Sequence, residues 1–139
     1  MTGGPANTRR PTSLFWLWGP VAGQMLLIFI ASSISNLGPM PGGVSDKSGH
    51  SIGYAILGAV TLRALAGARL NGVTWPRAAA ALVICALYGV SDEFHQSFVP
   101  GRTPDVHDVI ADCIGAAVAV TLIGGAAVAR ACGILKRSS

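Results

Sequence analysis

The ionisable side chains of this 139-residue chain are few and unevenly placed. All six acids (Asp46, Asp92, Glu93, Asp105, Asp108 and Asp112) and all three histidines (His50, His95 and His107) fall between residues 46 and 112. Helical spacing groups them. Asp46, His50 and Tyr54 are successive i, i+4 neighbours. Tyr88, Asp92 and Gln96 repeat that spacing with Glu93 beside them, and Asp105, Asp108 and Asp112 at i, i+3, i+7 share a third face. Carboxylates and an imidazole on facing helices can exchange protons, with Glu93 or Asp92 as general base and His50 as acid or nucleophile. Arg102 and Lys47 can instead bind phosphate or carboxylate, Arg102 bidentately. Asp46, Tyr54, Gln96, Asp108 and Asp112 would then orient those cations or bind hydroxyl and amide groups.

The elements that carry these residues are apolar. Hydrophobic residues make up 51% of the chain and charged residues 12%, about half the ~25% usual in soluble domains. Mean hydropathy is positive (+0.55). Disorder and a charged soluble surface are excluded. The net charge of +4 does not mark a nucleic-acid binder, because the basic residues sit between apolar runs and line no helical face. The three cysteines, Cys85, Cys113 and Cys132, form no CxxC and have no histidine at ligand spacing, so neither a disulfide framework nor a zinc site is expected. No metal or cofactor is expected.

Crossing ~30 Å of hydrocarbon takes about 20 helical residues. Four such spans are predicted, at about 14–34, 48–66, 75–94 and 105–129, giving an all-α, polytopic membrane four-helix bundle between terminal tails at 1–13 and 131–139. Thr8-Arg9-Arg10 before the first run resembles a secretory signal, but the run exceeds a signal's 7–15 apolar residues and is read as an uncleaved span. Short loops rich in Pro and Gly, at 38–43 and 99–104, join the spans in pairs. Eight of ten basic residues, all except Lys47 and Arg102, fall at one side. That bias places both termini in the cytoplasm, with Trp16, Trp18 and Trp75 at the same interface. Every acid and histidine then lies at the outer end, where ionisable groups near hydrocarbon are expensive and read as functional.

In order, the chain shows Asp46-Lys47-x-x-His50-x-x-x-Tyr54, Tyr88-x-x-x-Asp92-Glu93-x-x-Gln96, Pro100-Gly101-Arg102 and Asp108-x-x-x-Asp112-x-x-Gly115. This constellation resembles the VanZ-like family of small bacterial membrane proteins, over about residues 44 to 120. Asparagine is common in that family where Asp112 stands here. The resemblance implies a bacterial plasma-membrane location and a link to tolerance of the glycopeptide teicoplanin, with which the founding member is associated.

Several simpler roles compete with function at single positions. Asp105 and Asp46 can cap helices, Gln24 can bond a neighbouring helix, and Gly53, Gly58, Gly89 and Gly115 can let helices approach closely. His95 and His107 fall off the main faces. Taken together, the cluster is read first as a site for the polar or anionic headgroup of a membrane lipid or lipid-linked envelope precursor. A membrane-embedded hydrolase or transferase acting on a headgroup is the alternative, and a small-solute or proton transporter comes third. A structural assembly factor is the plainest reading.

Overall fold

The structure, a computed structural model, describes residues 13–35 and 46–133. The predicted tails, apart from residues 13 and 131–133, and the Pro/Gly-rich 38–43 loop lie outside that range. Four long helices follow in order: α1 Leu14–Ser32, α2 Asp46–Leu65, α3 Trp75–Gln96 and α4 Val106–Ala131. Their bounds shift by one or two residues from the predicted spans. Local chemistry explains the starts. The Ser13 side chain accepts the Trp16 amide at 3.2 Å, and Asp105 caps α4 by accepting the His107 amide at 2.9 Å. Pro76 sits in the first turn of α3, where its missing N–H costs nothing.

α2 and α4 pack backbone to backbone. A Cβ at Gly58 would lie 3.0 Å from the Ala116 Cα, and one at Gly115 would collide with the Ser51 carbonyl. Ser51 Oγ adds a hydrogen bond to the Ala111 carbonyl at 3.0 Å. Small residues at such a crossing replace the hydrophobic drive that lipid removes. α1 is tied on by polar contacts. Gln24 donates to the Gly53 carbonyl (3.0 Å) and Tyr88 Oη to the Met25 carbonyl (2.6 Å).

Polarity is inverted relative to a water-soluble bundle. Ile110, Ile114, Val118 and Leu122 form an exposed i, i+4 stripe on α4, and Val83, Leu87, Val90 and Phe94 form an exposed stripe of mixed i+3 and i+4 spacing on α3. Meanwhile Ser32, Thr61, Asp92, Glu93, Gln96, Asp108 and Asp112 are buried. That distribution suits a lipid solvent, in which apolar surface is cheap and polar groups must find partners inside. α1, α3 and α4 are each long and apolar enough to cross a membrane. α2 has the length, at 20 residues, but carries Asp46, Lys47, His50 and Arg63. It is instead the covered helix of the bundle: Tyr54, Leu57, Thr61 and Leu62 are buried against the other helices.

The two ends of the bundle differ. At one, Leu62, Ala78, Ala81 and Val120 form a dry apolar cluster. Arg63 there stacks over the Trp16 ring at 5.4 Å and donates to the Trp16 carbonyl. The start of α2, the end of α3 and the start of α4 meet at the other end, which holds every carboxylate whose side chain is described.

Candidate functional site

The centre of the polar end is His50, just over one turn into α2. Its Nδ1 lies 3.1 Å from Asp112 Oδ1 on α4. With Asp112 ionised, the carboxylate only accepts, and Nδ1 is the donor of this pair. Nε2 points towards Asp108 Oδ2 at 3.9 Å. The other Asp108 oxygen accepts from Lys47 Nζ at 3.1 Å, and Lys47 also reaches Asp105 Oδ2 at 2.9 Å. Lys47 thus staples the starts of α2 and α4. With Lys47 beside it, and the amide and imidazole of His107 behind, the Asp105 carboxyl is held well below the usual carboxylate range.

Glu93 and Asp92 leave α3 on adjoining faces and do different work. Asp92 Oδ2 accepts from Ser32 Oγ on α1 at 2.8 Å and from Gln96 Nε2 at 3.2 Å. Glu93 Oε2 accepts the Asp105 amide at 2.8 Å, closing the loop between α3 and α4. Its Oε1 is buried with no hydrogen-bond partner. A Glu93 carboxylate oxygen, a His50 ring nitrogen and an Asp108 carboxylate oxygen all lie within 4.8 Å of one another.

Arg102 follows a tight turn, Val99 to Arg102, closed by the Arg102 amide on the Val99 carbonyl at 3.1 Å. Gly101 adopts φ 81° there, a conformation that other L-residues resist. The turn sends the guanidinium across to the end of α1, where Nε bonds the Ile34 carbonyl (3.2 Å) and Nη2 the Ala31 carbonyl (3.4 Å). Arg102 therefore serves the α1 terminus and makes no ion pair with Glu93. Beside it opens a pocket of about 310 Å³ between α1, α2 and α3. Leu27, Ile28 and Ala31 form its apolar wall, while His50, Tyr54, Asp92 and Arg102 supply the polar one. The buried Tyr54 hydroxyl has no hydrogen-bond partner.

Nine of the ten residues singled out from spacing can be placed by their side chains: Lys47, His50, Tyr54, Asp92, Glu93, Gln96, Arg102, Asp108 and Asp112. They fall into two adjoining groups. Lys47, Glu93, Asp108 and Asp112 gather around one side of His50, whereas Tyr54, Asp92, Gln96 and Arg102 border the pocket or its wall. Asp46 is the first residue of α2; its side chain lies outside the described set. His95 stacks on Phe29 at 4.4 Å and meets Ser33 Oγ at 3.0 Å, and His107 is exposed beside Asp105. Both stand apart from the cluster. Ser32 was missed. It reads as one of several small hydroxyls in an apolar run, and only its place in the last turn of a helix facing Asp92 gives it a role.

A helical bundle with lipid-suited outer faces and a buried polar cluster at one end is an integral membrane protein. The model of the family described as VanZ/LLP1 matches residues 50–127, more than half of the chain and all of the described cluster except Lys47. The chain belongs to the VanZ-like family. Neither the curated proteins nor the solved structures contain a match to it.

Proposed function

We propose that the polar end faces the outside of a bacterial plasma membrane and binds the headgroup of an envelope lipid or lipid-linked precursor. The observation that carries this reading is the two-sided pocket between α1, α2 and α3. Its apolar wall of Leu27, Ile28 and Ala31 suits a hydrocarbon chain, and Arg102, His50 and the unpartnered Tyr54 hydroxyl suit a phosphate or sugar. An arginine offers five N–H donors in a fork matched to phosphate, and two of its nitrogens already anchor it to α1. The arginine bias supports the orientation, and family membership supports a link to glycopeptide tolerance. Transport fits less well, since the polar groups end near Thr61 and give way to the apolar cluster of Leu62, Ala78, Ala81 and Val120.

The test is native mass spectrometry of the protein extracted in mild detergent, with the wild type compared to Arg102→Gln and Tyr54→Phe. Wild type should retain a phosphate-bearing lipid. Loss of one charge-assisted contact in Arg102→Gln should weaken retention about tenfold. Equal retention by all three proteins removes the pocket as the binding site. Teicoplanin tolerance of cells carrying the same variants reports whether binding and phenotype travel together.

A further inference from the structure

The polar end holds a second grouping, which shares only His50 with the headgroup pocket. We infer that His50 Nε2, Asp108 Oδ2 and the Glu93 carboxylate form a three-ligand site for a divalent first-row transition-metal ion. This goes beyond headgroup binding and stands or falls separately.

Four observations support it. The first is convergence from three helices: the donor atoms of His50 on α2, Glu93 on α3 and Asp108 on α4 lie within 4.8 Å of one another. A tetrahedral ion bound at ~2.1 Å holds its ligand atoms about 3.4 Å apart, so closure needs only rotamer-scale adjustment. Second, Glu93 is 7% exposed and its Oε1 has no hydrogen-bond partner. A bare carboxylate oxygen in a buried, lipid-bounded setting is costly, and a cation beside it removes that cost. Third, the groups around the site already orient it for a metal. Asp112 takes the Nδ1 hydrogen of His50 at 3.1 Å, the carboxylate–histidine arrangement that fixes the tautomer and strengthens the other nitrogen as a ligand. Lys47 occupies Asp108 Oδ1 and the Asp105 amide occupies Glu93 Oε2, so each carboxylate is held through one oxygen and can offer the other. Fourth, charge favours a dication: of the carboxylates of Glu93, Asp105, Asp108 and Asp112, Lys47 pairs with only Asp105 and Asp108.

The donor set narrows the choice of metal. One imidazole with two carboxylates suits Zn²⁺, Fe²⁺ or Mn²⁺ better than Mg²⁺ or Ca²⁺, which prefer all-oxygen shells. Three protein ligands leave a coordination position for water or a phosphate oxygen, as in open zinc sites.

The experiment uses the full chain in detergent, stripped with chelator and titrated with Zn²⁺ or Mn²⁺ alone by calorimetry. Wild type should bind one ion per chain and unfold at a higher temperature when loaded. Asp112→Asn should bind about 10- to 100-fold more weakly, since it acts through His50, whereas Asp92→Asn, in the adjoining pocket, should bind as wild type does. Glu93→Gln keeps an oxygen for the Asp105 amide and should fold yet lose high-affinity binding, as should Asp108→Asn. Wild-type protein should also give a visible Co²⁺ spectrum of low-symmetry nitrogen and oxygen ligation, a readout that needs no variant. Absence of saturable binding and of that spectrum overturns the site, as does undiminished binding by Glu93→Gln. Metal binding that survives the pocket change Arg102→Gln separates this inference from the headgroup reading.

Discussion

His50 Nδ1 and Asp112 Oδ1 meet at 3.1 Å across the α2–α4 crossing, with Asp112 fully buried at 0% exposure. Asparagine keeps an oxygen that can accept from Nδ1 and removes an ionisable group from the interior. Asp112→Asn is therefore expected to unfold in detergent at or above the wild-type temperature. Asp112→Ala strands the buried donor and should cost about 1–3 kcal/mol. Equal damage from both substitutions would show that packing, not the hydrogen bond, sets the role of this position.

Close helix approach makes a contrasting pair of glycines. At Gly115 any Cβ meets the Ser51 carbonyl, while at Gly124 nothing lies within 4 Å. Gly115→Ala should destabilise by about 1–3 kcal/mol, the usual range for overpacking, and Gly124→Ala should be neutral or slightly stabilising. Thermal unfolding of the two variants side by side decides it. A tolerated alanine at Gly115 would mean that the α2–α4 crossing is looser than described.

Arg102 and Glu93 stand near one another in the chain but serve different partners, the carbonyls of Ala31 and Ile34 for one and the Asp105 amide for the other. Replacing each by glutamine, singly and together, should give additive losses to within about 0.5 kcal/mol. A coupling well above that in a double-mutant cycle would reveal an ion pair after all.

The Lys47–Asp105 contact gives a signed pH dependence. Lys47 depresses the Asp105 carboxyl from its ordinary value of 3.8. The contribution is therefore fully present above about pH 4 and lost as pH falls towards the depressed value. Asp105→Asn retains the cap on α4 but not the charge. The gap between its melting temperature and that of wild type should be small and constant from pH 7 to about pH 5, then close below pH 4. A gap that widens on acidification contradicts the pairing.

Topology is checked with reporters. A fusion after Ser139 should be active only in the cytoplasm, and one within 38–43 only outside. A C-terminal reporter active outside the cell would turn the polar end, and the proposed site with it, towards the cytoplasm.

How much of this was legible in the sequence depended on range. The helices were, because ~20-residue apolar runs bounded by Pro, Gly and Asp leave little choice, and Asp105 announced its cap. The faces of the cluster were legible as well. Asp108 and Asp112, one turn apart, do meet the His50 face of α2, and Gln24 does bond across to it. What spacing could not reveal was the sorting of partners. Ser32 and Asp92 are 60 positions apart, Arg102 and Ile34 are 68, and no periodicity encodes which carbonyl a guanidinium will reach. The grouping of His50, Glu93 and Asp108 was hidden for the same reason. Its donors come from three helices, whereas ligand motifs are recognised by short spacing on one.

The most covered helix also has a consequence for how the chain is made. Each charged residue near a helix centre costs about 2.5–3.5 kcal/mol during insertion, and less towards the ends. α2 is the helix least suited to enter a bilayer alone, and its lipid-facing surface is the smallest once the others surround it. Its burial depends on its neighbours, α1 before it in the chain and the α3–α4 pair after it. The polar end is then completed only when the last helix docks, because Lys47 and His50 on α2 find Asp108 and Asp112 only on α4.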